Sequence, residues 1–352
     1  MLELAKQAKN FVKNAVHDRP VNSTTEIRLT YLCTQRCRQC VIPFKGTDPK
    51  WLTFEQFKFI GDRLRDYGSY IGFISGGEVT MVPDLDKILL EARKIFPVAL
   101  TLVTGLYNKP EIIRPIAELA LANDINIQTS LDGFDEIGDD LRGSKDFFKV
   151  VYGNMKMIAD MKPESSKSLL YTNIVMSQLN LDQVPELIKR TNDAGWKATI
   201  GMYHDLTAST RANDDMFLEP SEKLDNLIKY LREGKKVLNL DSYLAGIPEY
   251  VRTHKTDICA YRQSKVLSSR LLVMENGDVH LCIGNPIGNL FQSSLEEIFE
   301  AETYRQRLKE YESCEGCWTT CYTQRYLLSH PRNFQEVKNN FFKVTKLKPE
   351  TA

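Results

Sequence analysis

The chain has 352 residues, long enough for one large α/β domain with a smaller one beside it. Lysine and arginine total 46, and so do aspartate and glutamate, so the balanced charge gives no support for nucleic acid as a partner. No apolar run approaches the roughly 18–20 residues that cross a bilayer, and the N-terminus lacks the continuous apolar region of a secretory signal. We therefore expect a cytoplasmic protein.

Residues 1–20 predict a short N-terminal helix, with Leu4, Ala8 and Phe11 on one side and lysines interleaved. We expect this helix to pack against the main domain. A basic amphipathic helix at a membrane surface is the less favoured alternative.

The chain then alternates between strand and helix patterns. Apolar alternation predicts six strands, at 26–32, 70–75, 98–103, 125–131, 169–176 and 197–202. Helical patterns between them cover 53–65, 84–94, 110–121, 145–159 and 181–192. Thr53 and Gln56 form a capping-box pattern, and Pro110 stands where a first-turn proline belongs. This alternation predicts a parallel sheet with helices outside it.

Three cysteines, Cys33, Cys37 and Cys40, fall within eight residues where the chain leaves the first predicted strand. Many α/β barrels hold their chemistry on such loops. Three thiolates on a short loop can surround zinc or an iron–sulfur cluster, and three buried thiols without a metal are the remaining alternative. Zinc would need a fourth ligand, and no Cys or His lies between Cys40 and His204. Three ligands on a four-iron cluster would leave one iron open.

The spacing C-x3-C-x2-C resembles the cluster loop of the radical SAM superfamily. The resemblance implies a [4Fe-4S] cluster held by Cys33, Cys37 and Cys40, with S-adenosylmethionine (SAM) on the fourth iron. It implies reductive cleavage of SAM to a 5′-deoxyadenosyl radical that abstracts hydrogen from a substrate. It also implies a partial (β/α)6 TIM-like barrel. Gln39 departs from the family pattern, in which an aromatic residue often precedes the third cysteine.

Polar residues after the later strands resemble the family's SAM contacts. They are Gly76, Gly77, Glu78, Thr104, Ser130, Asp132 and Arg142. The segment 76–78 resembles the one that binds the methionine ammonium, and its glycines permit a close backbone approach. Ser130 and Asp132 resemble contacts to the ribose or methionine, with turn formation or capping as the alternative. Arg142 stands where relatives pair a cation with the SAM carboxylate, with a surface position as the alternative.

Tyr203 and His204 follow the sixth predicted strand and are the catalytic candidates. The family often approaches adenine and substrate from this strand. Imidazole titrates near neutral pH, so His204 is a candidate proton acceptor. A histidine with a purely structural role is the alternative.

Five further cysteines lie near the C-terminus: Cys259, Cys282, Cys314, Cys317 and Cys321. Asn276-Gly277 predicts a hairpin between strands 270–275 and 278–283, the second of which holds Cys282. A helical pattern covers 294–310. A hairpin with a C-x2-C pair also suits a zinc ribbon, which is the alternative to an iron–sulfur site.

The order of these parts resembles the SPASM/twitch extension of radical SAM enzymes. The full SPASM pattern uses seven cysteines for two clusters, whereas five are enough for one. The resemblance therefore implies one auxiliary [4Fe-4S] cluster, with Cys259, Cys282, Cys314 and Cys317 as the favoured ligands. Cys321 is a spare thiol or replaces one of them.

These patterns divide the chain into four segments. We predict an N-terminal helix over 1–20, the partial barrel over 21–235, a small α+β hairpin-and-helix iron–sulfur domain over 236–330 and a tail over 331–352. Residues 233–257 predict an irregular linker.

The resemblance implies a radical SAM oxidoreductase, with an external low-potential electron donor such as flavodoxin or ferredoxin as a partner. About 25 residues precede the first predicted strand, too few for a leader-binding domain, so we favour a small-molecule substrate. A maturase that modifies a peptide is the alternative. A non-catalytic iron–sulfur protein that transfers electrons is the hypothesis from another class.

Overall fold

The computed structural model describes residues 10, 12–14, 16, 20–44, 51–205, 212–234, 236–263, 269–282 and 284–346. The predicted helix over 1–20 lies largely outside these residues, and the end of the predicted tail, 347–352, lies wholly outside them. No helix among the described residues is both long enough and apolar enough to cross a membrane.

Six parallel strands form the main part of the sheet. They are β1 (Asn22–Arg28), β2 (Ile71–Ser75), β3 (Ala99–Val103), β4 (Asn126–Ser130), β5 (Leu170–Met176) and β6 (Lys197–Met202). Each strand pairs in parallel with the next one along the chain. Parallel pairing brings all six carboxyl ends to one edge, where the loops after the strands meet. The predicted partial barrel is confirmed.

Helices connect these strands and cover the outside of the sheet. They are α1 (Phe54–Tyr67), α2 (Leu85–Ile95), α3 (Pro110–Ala122), α4 (Asp135–Arg142), α5 (Phe147–Met161), α6 (Val184–Asp193), α7 (Glu222–Gly234) and α8 (Asp241–Thr253). Their apolar faces and the strands share one buried core that includes Ile27, Ile74 and Phe57. The capping box at α1 is confirmed, because Thr53 and Gln56 each accept a backbone hydrogen bond from the other.

The C-terminal strands extend the barrel sheet. They are β7 (Ser269–Val273), β8 (Asp278–His280) and β9 (Gly288–Asn289). The predicted hairpin is confirmed as the antiparallel pair β7–β8, but β7 also pairs in parallel with β1. The helices of this part are α9 (Ala260–Gln263), α10 (Leu295–Glu300), α11 (Glu302–Glu312), α12 (Arg325–Ser329) and α13 (Phe334–Lys346). The auxiliary region therefore shares its sheet with the barrel.

The irregular linker predicted over 233–257 is wrong, because α8 occupies most of it. Gly246 and Pro248 lie inside this helix and obscure its pattern. A Cβ on Gly246 would lie 2.0 Å from the ring of Trp318, so the glycine permits close packing of helix against indole. Tertiary packing has overridden a weak local propensity.

Three other boundaries differ from the prediction. The first strand ends at Arg28, and the chain after it leaves the sheet to form the cysteine loop. The predicted helix 294–310 is two helices, because Ala301 has an extended backbone. A separate short helix, α4, precedes α5 and ends at Arg142.

Candidate functional site

The first cysteine loop borders a cavity of about 240 Å³ at the carboxyl edge of the sheet. Cys33, Cys37 and Cys40 line this first cavity, and none of them forms a disulfide. Six of the seven predicted SAM-contact residues line it too: Gly76, Gly77, Glu78, Thr104, Ser130 and Arg142. The seventh, Asp132, contacts Arg142 instead. Residues far apart in sequence thus lie around one cavity, and their contacts with SAM stay predictions.

Gly76 and Gly77 allow the end of β2 to lie against the cysteine loop. The Gly77 amide donates to Thr30 O and the Glu78 amide donates to Leu32 O, both at 2.7 Å. A Cβ on Gly77 would lie 2.0 Å from Leu32 O, which no side chain tolerates. The glycines therefore clamp the loop to β2.

Glu78 joins the ends of β2 and β3. One carboxylate oxygen accepts from the Thr80 amide at 3.1 Å, the Thr80 hydroxyl at 2.9 Å and the Thr104 hydroxyl at 2.7 Å. The other accepts from the Gly105 amide at 2.8 Å. Glu78 is 1% exposed, so these bonds satisfy a buried charge. The carboxylate holds the rim of the first cavity rigid.

Arg142 connects the cysteine loop to the end of β4. Its guanidinium forms a buried ion pair with Asp132 and lies 3.8 Å from the Cys37 sulfur. Asp132 also accepts from the Val175 amide at 2.8 Å. Asp132 therefore positions Arg142, and its predicted direct contact with SAM stays a prediction.

The first cavity fits a thiolate-bound cluster with a polar ligand. Three buried polar atoms on its lining have no hydrogen-bond partner among the described residues: Gln35 Nε2, Gln39 Oε1 and Arg142 Nε. Burying a polar group without a hydrogen bond costs free energy, and a ligand with matching donors and acceptors would satisfy these groups. Burial raises the pKa of Cys33 to about 12, so its thiolate needs a positively charged partner such as iron.

The second cysteine group gathers four of the five C-terminal cysteines. Cys282, Cys314 and Cys317 line a second cavity of about 380 Å³. Burial, and after it the proximity of Cys282, raises the pKa of Cys317, and Cys259 and Cys314 act on it in the same direction. These four cysteines are the set that the sequence favours for one cluster.

Cys321 lies apart from that group. It lies within a π-helical turn, Thr320–Gln324, and lines a third cavity of about 310 Å³ inside the barrel, which we call the barrel chamber. No three His, Cys, Asp or Glu side chains in the described ranges converge tightly enough to hold a single metal ion.

Two family profiles match the chain. The profile of the radical SAM superfamily matches residues 27–202. This chain belongs to the radical SAM superfamily. A second profile, SPASM, described as an iron–sulfur cluster-binding domain, matches residues 259–321. The cofactor predictions, a [4Fe-4S] cluster with SAM and an auxiliary iron–sulfur cluster, are confirmed at the level of the two domains.

Curated relatives include a bacteriocin biosynthesis protein, a mycofactocin maturase and an Fe-coproporphyrin III synthase. The antilisterial bacteriocin subtilosin biosynthesis protein AlbA of Bacillus subtilis is 25% identical, over 80% of this chain and 60% of its own length. The mycofactocin maturase MftC of Mycolicibacterium smegmatis is 28% identical, over 65% of this chain and 57% of its own. The Fe-coproporphyrin III synthase of Methanosarcina barkeri is 26% identical, over 64% and 57%. The chain thus spans less than two thirds of these relatives.

Among solved structures, the chain is similar to SuiB of Streptococcus suis bound to precursor peptide SuiA. The TM-score is 0.63 at 15% identity, over 87% of this chain and 70% of that one. At this identity the likeness shows the fold alone, which is that of radical SAM enzymes.

Tyr203 and His204 border the second cavity of this radical SAM protein and not the first. Tyr203 is 1% exposed, and its ring meets Phe217 edge-on with centroids 5.0 Å apart. Burial lowers the pKa of His204 to about 4, and the nearby Asp205 acts in the opposite direction. The His204 Nδ1 atom has no hydrogen-bond partner in the part of the chain that the structure describes. Both side chains lie close to the auxiliary cysteines, and their catalytic roles stay predictions.

Sequence reasoning missed three polar groups of these cavities. Gln35 was not singled out, although it lies between two loop cysteines. Arg270 and Arg325 line the barrel chamber from outside the six-strand pattern. No spacing signal identifies the two arginines, because only the fold brings β7 and α12 to the barrel.

Proposed function

We propose that this chain is a radical SAM enzyme that modifies a peptide. The proposal depends on one observation. Three free cysteines, the loop that Gly76 and Gly77 hold against β2, and polar atoms without hydrogen-bond partners among the described residues all lie around the first cavity. In this proposal Cys33, Cys37 and Cys40 would hold the catalytic cluster, with SAM bound beside it in the first cavity. When bound, the cluster and SAM would supply radical abstraction of hydrogen from the substrate.

The chain's own residues bind and orient the cofactors. The 76–78 segment holds the cysteine loop against β2, while Ser130 and Thr104 contribute polar rim groups. Gln39 and Arg142 offer unpaired polar atoms to SAM, and Asp132 keeps the Arg142 guanidinium in place. These groups would bind and orient SAM in the first cavity.

The auxiliary cluster belongs to the proposed 236–330 domain, next to the 21–235 barrel. Cys259, Cys282, Cys314 and Cys317 are its proposed ligands. Tyr203 and His204 lie at the boundary of the two domains and are the proposed proton-handling groups. An external low-potential donor such as flavodoxin or ferredoxin supplies the electrons.

The relatives support a peptide substrate over the small molecule favoured from the sequence. AlbA is named for bacteriocin biosynthesis and MftC as a maturase, and SuiB was solved with a precursor peptide. The small-molecule preference rested on the short segment before the first strand, and that segment says nothing about the substrate.

A small-molecule substrate is the second candidate. The observation that favours it is the identity to Fe-coproporphyrin III synthase, which is as high as that to AlbA. Under this hypothesis the cluster sites are the same and only the substrate differs.

Anaerobic reconstitution tests the cluster assignment. Two four-iron clusters give about eight irons per chain. Reduction by dithionite with SAM should then yield 5′-deoxyadenosine. Cys37→Ala should keep about four irons and form no 5′-deoxyadenosine, whereas the matched control Cys321→Ala should keep both clusters. Stoichiometric zinc without iron would refute the proposal.

Substrate class is tested with the same protein. We would add peptides encoded by short reading frames beside the coding sequence, or coproporphyrin III, and measure 5′-deoxyadenosine and product mass. A peptide that speeds 5′-deoxyadenosine formation and changes in mass supports the proposal. If only coproporphyrin III speeds 5′-deoxyadenosine formation and is itself converted, the result supports the second candidate.

A further inference from the structure

The barrel chamber lies next to the first cavity. Val103, at the end of β3, lines both. The chamber is formed by the inner faces of the strands and is closed by the segment that holds Cys321 and Arg325. A substrate group in the chamber would therefore lie next to the proposed SAM site.

The lining of the chamber carries one uncompensated positive charge. Its charged side chains are Glu26, Arg270 and Arg325. Glu26 forms ion pairs with Arg270 and with Arg28, so its carboxylate is already engaged. Arg325 has no ion pair or hydrogen bond to any described residue; its guanidinium carbon lies 5.6 Å from the centroid of the Phe73 ring.

Arg325 is half-buried, and its guanidinium lines the chamber without a counter-ion among the described residues. It cannot lose its proton at physiological pH, so its charge faces a small chamber in which it is less well solvated than in open water. Burial lowers the pKa of Arg325, and the nearby Arg270 lowers it further. A bound anion would relieve both effects. A carboxylate suits this position, because it matches the planar fork of an arginine.

Neutral groups limit what kind of anion fits. Gln128 and Asn173 line the chamber beside the arginine and can hydrogen-bond the remaining polar atoms of a ligand. The chamber measures about 310 Å³, the lower end of the size of small-molecule sites, so one side chain fits better than a large cofactor.

We propose that Arg325 binds the side-chain carboxylate of an aspartate or glutamate in the substrate peptide, and so holds the neighbouring carbon atoms at the mouth of the first cavity. This inference rests on the proposed function for the peptide. Arg325 is then a specificity-determining residue, and the substrate carries an acidic residue at or beside the modified position.

The test measures binding of three small probes to the anaerobically reconstituted protein with SAM, by calorimetry. N-acetyl-L-glutamate N-methylamide presents a side-chain carboxylate, N-acetyl-L-glutamine presents a terminal one, and N-acetyl-L-glutamine N-methylamide is neutral. The first should bind at least about tenfold more tightly than the other two, as expected for a hydrogen-bonded charge pair. Equal affinity for the neutral probe, or a preference for the terminal carboxylate, would overturn the proposal.

Variants assign the effect to Arg325. Arg325→Gln should lower the affinity for the first probe at least about tenfold. The affinity of Arg325→Lys should lie between that of Arg325→Gln and that of the wild type. The matched control is Arg305→Gln, which removes an exposed arginine paired with Glu302 and should bind like the wild type. Unchanged affinity in Arg325→Gln would refute the assignment. If that variant does not fold, Arg325→Lys and the probe comparison still decide.

Two further measurements separate the competing explanations. If the Cys321 thiolate were the natural counter-ion, Cys321→Ala would bind the acidic probe more tightly than the wild type, which would contradict the proposal. Formation of 5′-deoxyadenosine by the wild type reports on the proposed function separately. A wild type that binds the acidic probe but never cleaves SAM, even with substrate peptides, would sink the proposed function and leave the carboxylate site standing.

Discussion

The two cysteine groups are built in different ways. Cys33, Cys37 and Cys40 lie on one loop, whose entry is held by two backbone hydrogen bonds from the end of β2. The second group comes from three separate stretches: before α9, after β8 and after α11. Its surroundings are joined by side chains, such as the Tyr322 hydroxyl that donates to Leu281 O at 2.9 Å.

The first group of cysteines is therefore positioned by local backbone geometry, and the second by tertiary packing. At the first cavity, backbone geometry presents the loop, so a change in backbone shape should matter more than a change in a distant side chain. At the second cavity, the four cysteines meet only when the hairpin and α11 pack together. Loss of a ligand or of the inter-strand links should therefore matter most there.

The largest expected effect is that of Gly77→Ala. The new Cβ would lie 2.0 Å from Leu32 O, and neither backbone can move without disturbing the strand ends. We expect a loss of more than about 3 kcal/mol in the free energy of unfolding, a fall in iron content by about half and no 5′-deoxyadenosine. Urea denaturation and iron analysis measure these effects.

Gly153→Ala is the matched control for that substitution. A Cβ at Gly153 has nothing within 4 Å, and the residue lies inside α5. The change should stabilise the protein by about 0.5–1 kcal/mol through helix propensity. An equal loss of stability and iron in both variants would contradict the role of Gly77 in holding the cysteine loop against β2.

The second prediction compares Cys317→Ala with Cys321→Ala. Cys317 lies among the four grouped cysteines, whereas Cys321 lines the barrel chamber. We expect Cys317→Ala to lose about four of about eight irons, and Cys321→Ala to lose none. Iron and sulfide analysis with Mössbauer spectra provides the measurement. The reverse pattern would assign Cys321 to the auxiliary cluster.

The third prediction concerns the ion pair that ties the two regions together. Glu26 on β1 pairs with Arg270 on β7, and both side chains are largely buried. Burial would raise the pKa of Glu26, but the charges of Arg270 and Arg28 outweigh it and lower the pKa to about 2. This shift from 4.5 corresponds to about 3 kcal/mol of stability at neutral pH.

The pH dependence follows from the lowered pKa. The stabilisation is complete above pH 4.5 and is lost as the pH falls toward 2. Glu26→Gln should therefore be less stable than the wild type at pH 6.5, and the difference should shrink below pH 4.5. Urea denaturation of metal-free protein checks this. A difference that does not change with pH would mean that the pair contributes no charge-dependent stability.

The sequence predicts more of the first region than of the second. The six strands and the loop cysteines follow from short-range patterns, because alternation and spacing act over a few residues. The helix α8 was missed because Gly246 and Pro248 lie inside it and weaken its local pattern, while the close packing of Gly246 against Trp318 is a tertiary contact. The pairing of β7 with β1 was also missed, and with it the place of Arg270 and Arg325 in the barrel chamber, because long-range pairing leaves no local signal.

The smallest effect is expected from Thr104→Val. It removes the hydroxyl that donates to Glu78 at 2.7 Å, while the bonds from Thr80 and Gly105 remain. We expect a loss of about 1 kcal/mol in stability and a several-fold weaker affinity for SAM, because the rim of the first cavity loosens. Thr303→Val is the control, since it removes a comparable bond to Ile287 O at 2.9 Å near the second region. If both variants bind SAM like the wild type, Glu78 is held well enough by its remaining bonds, and the Thr104 hydroxyl has no part in shaping the SAM site.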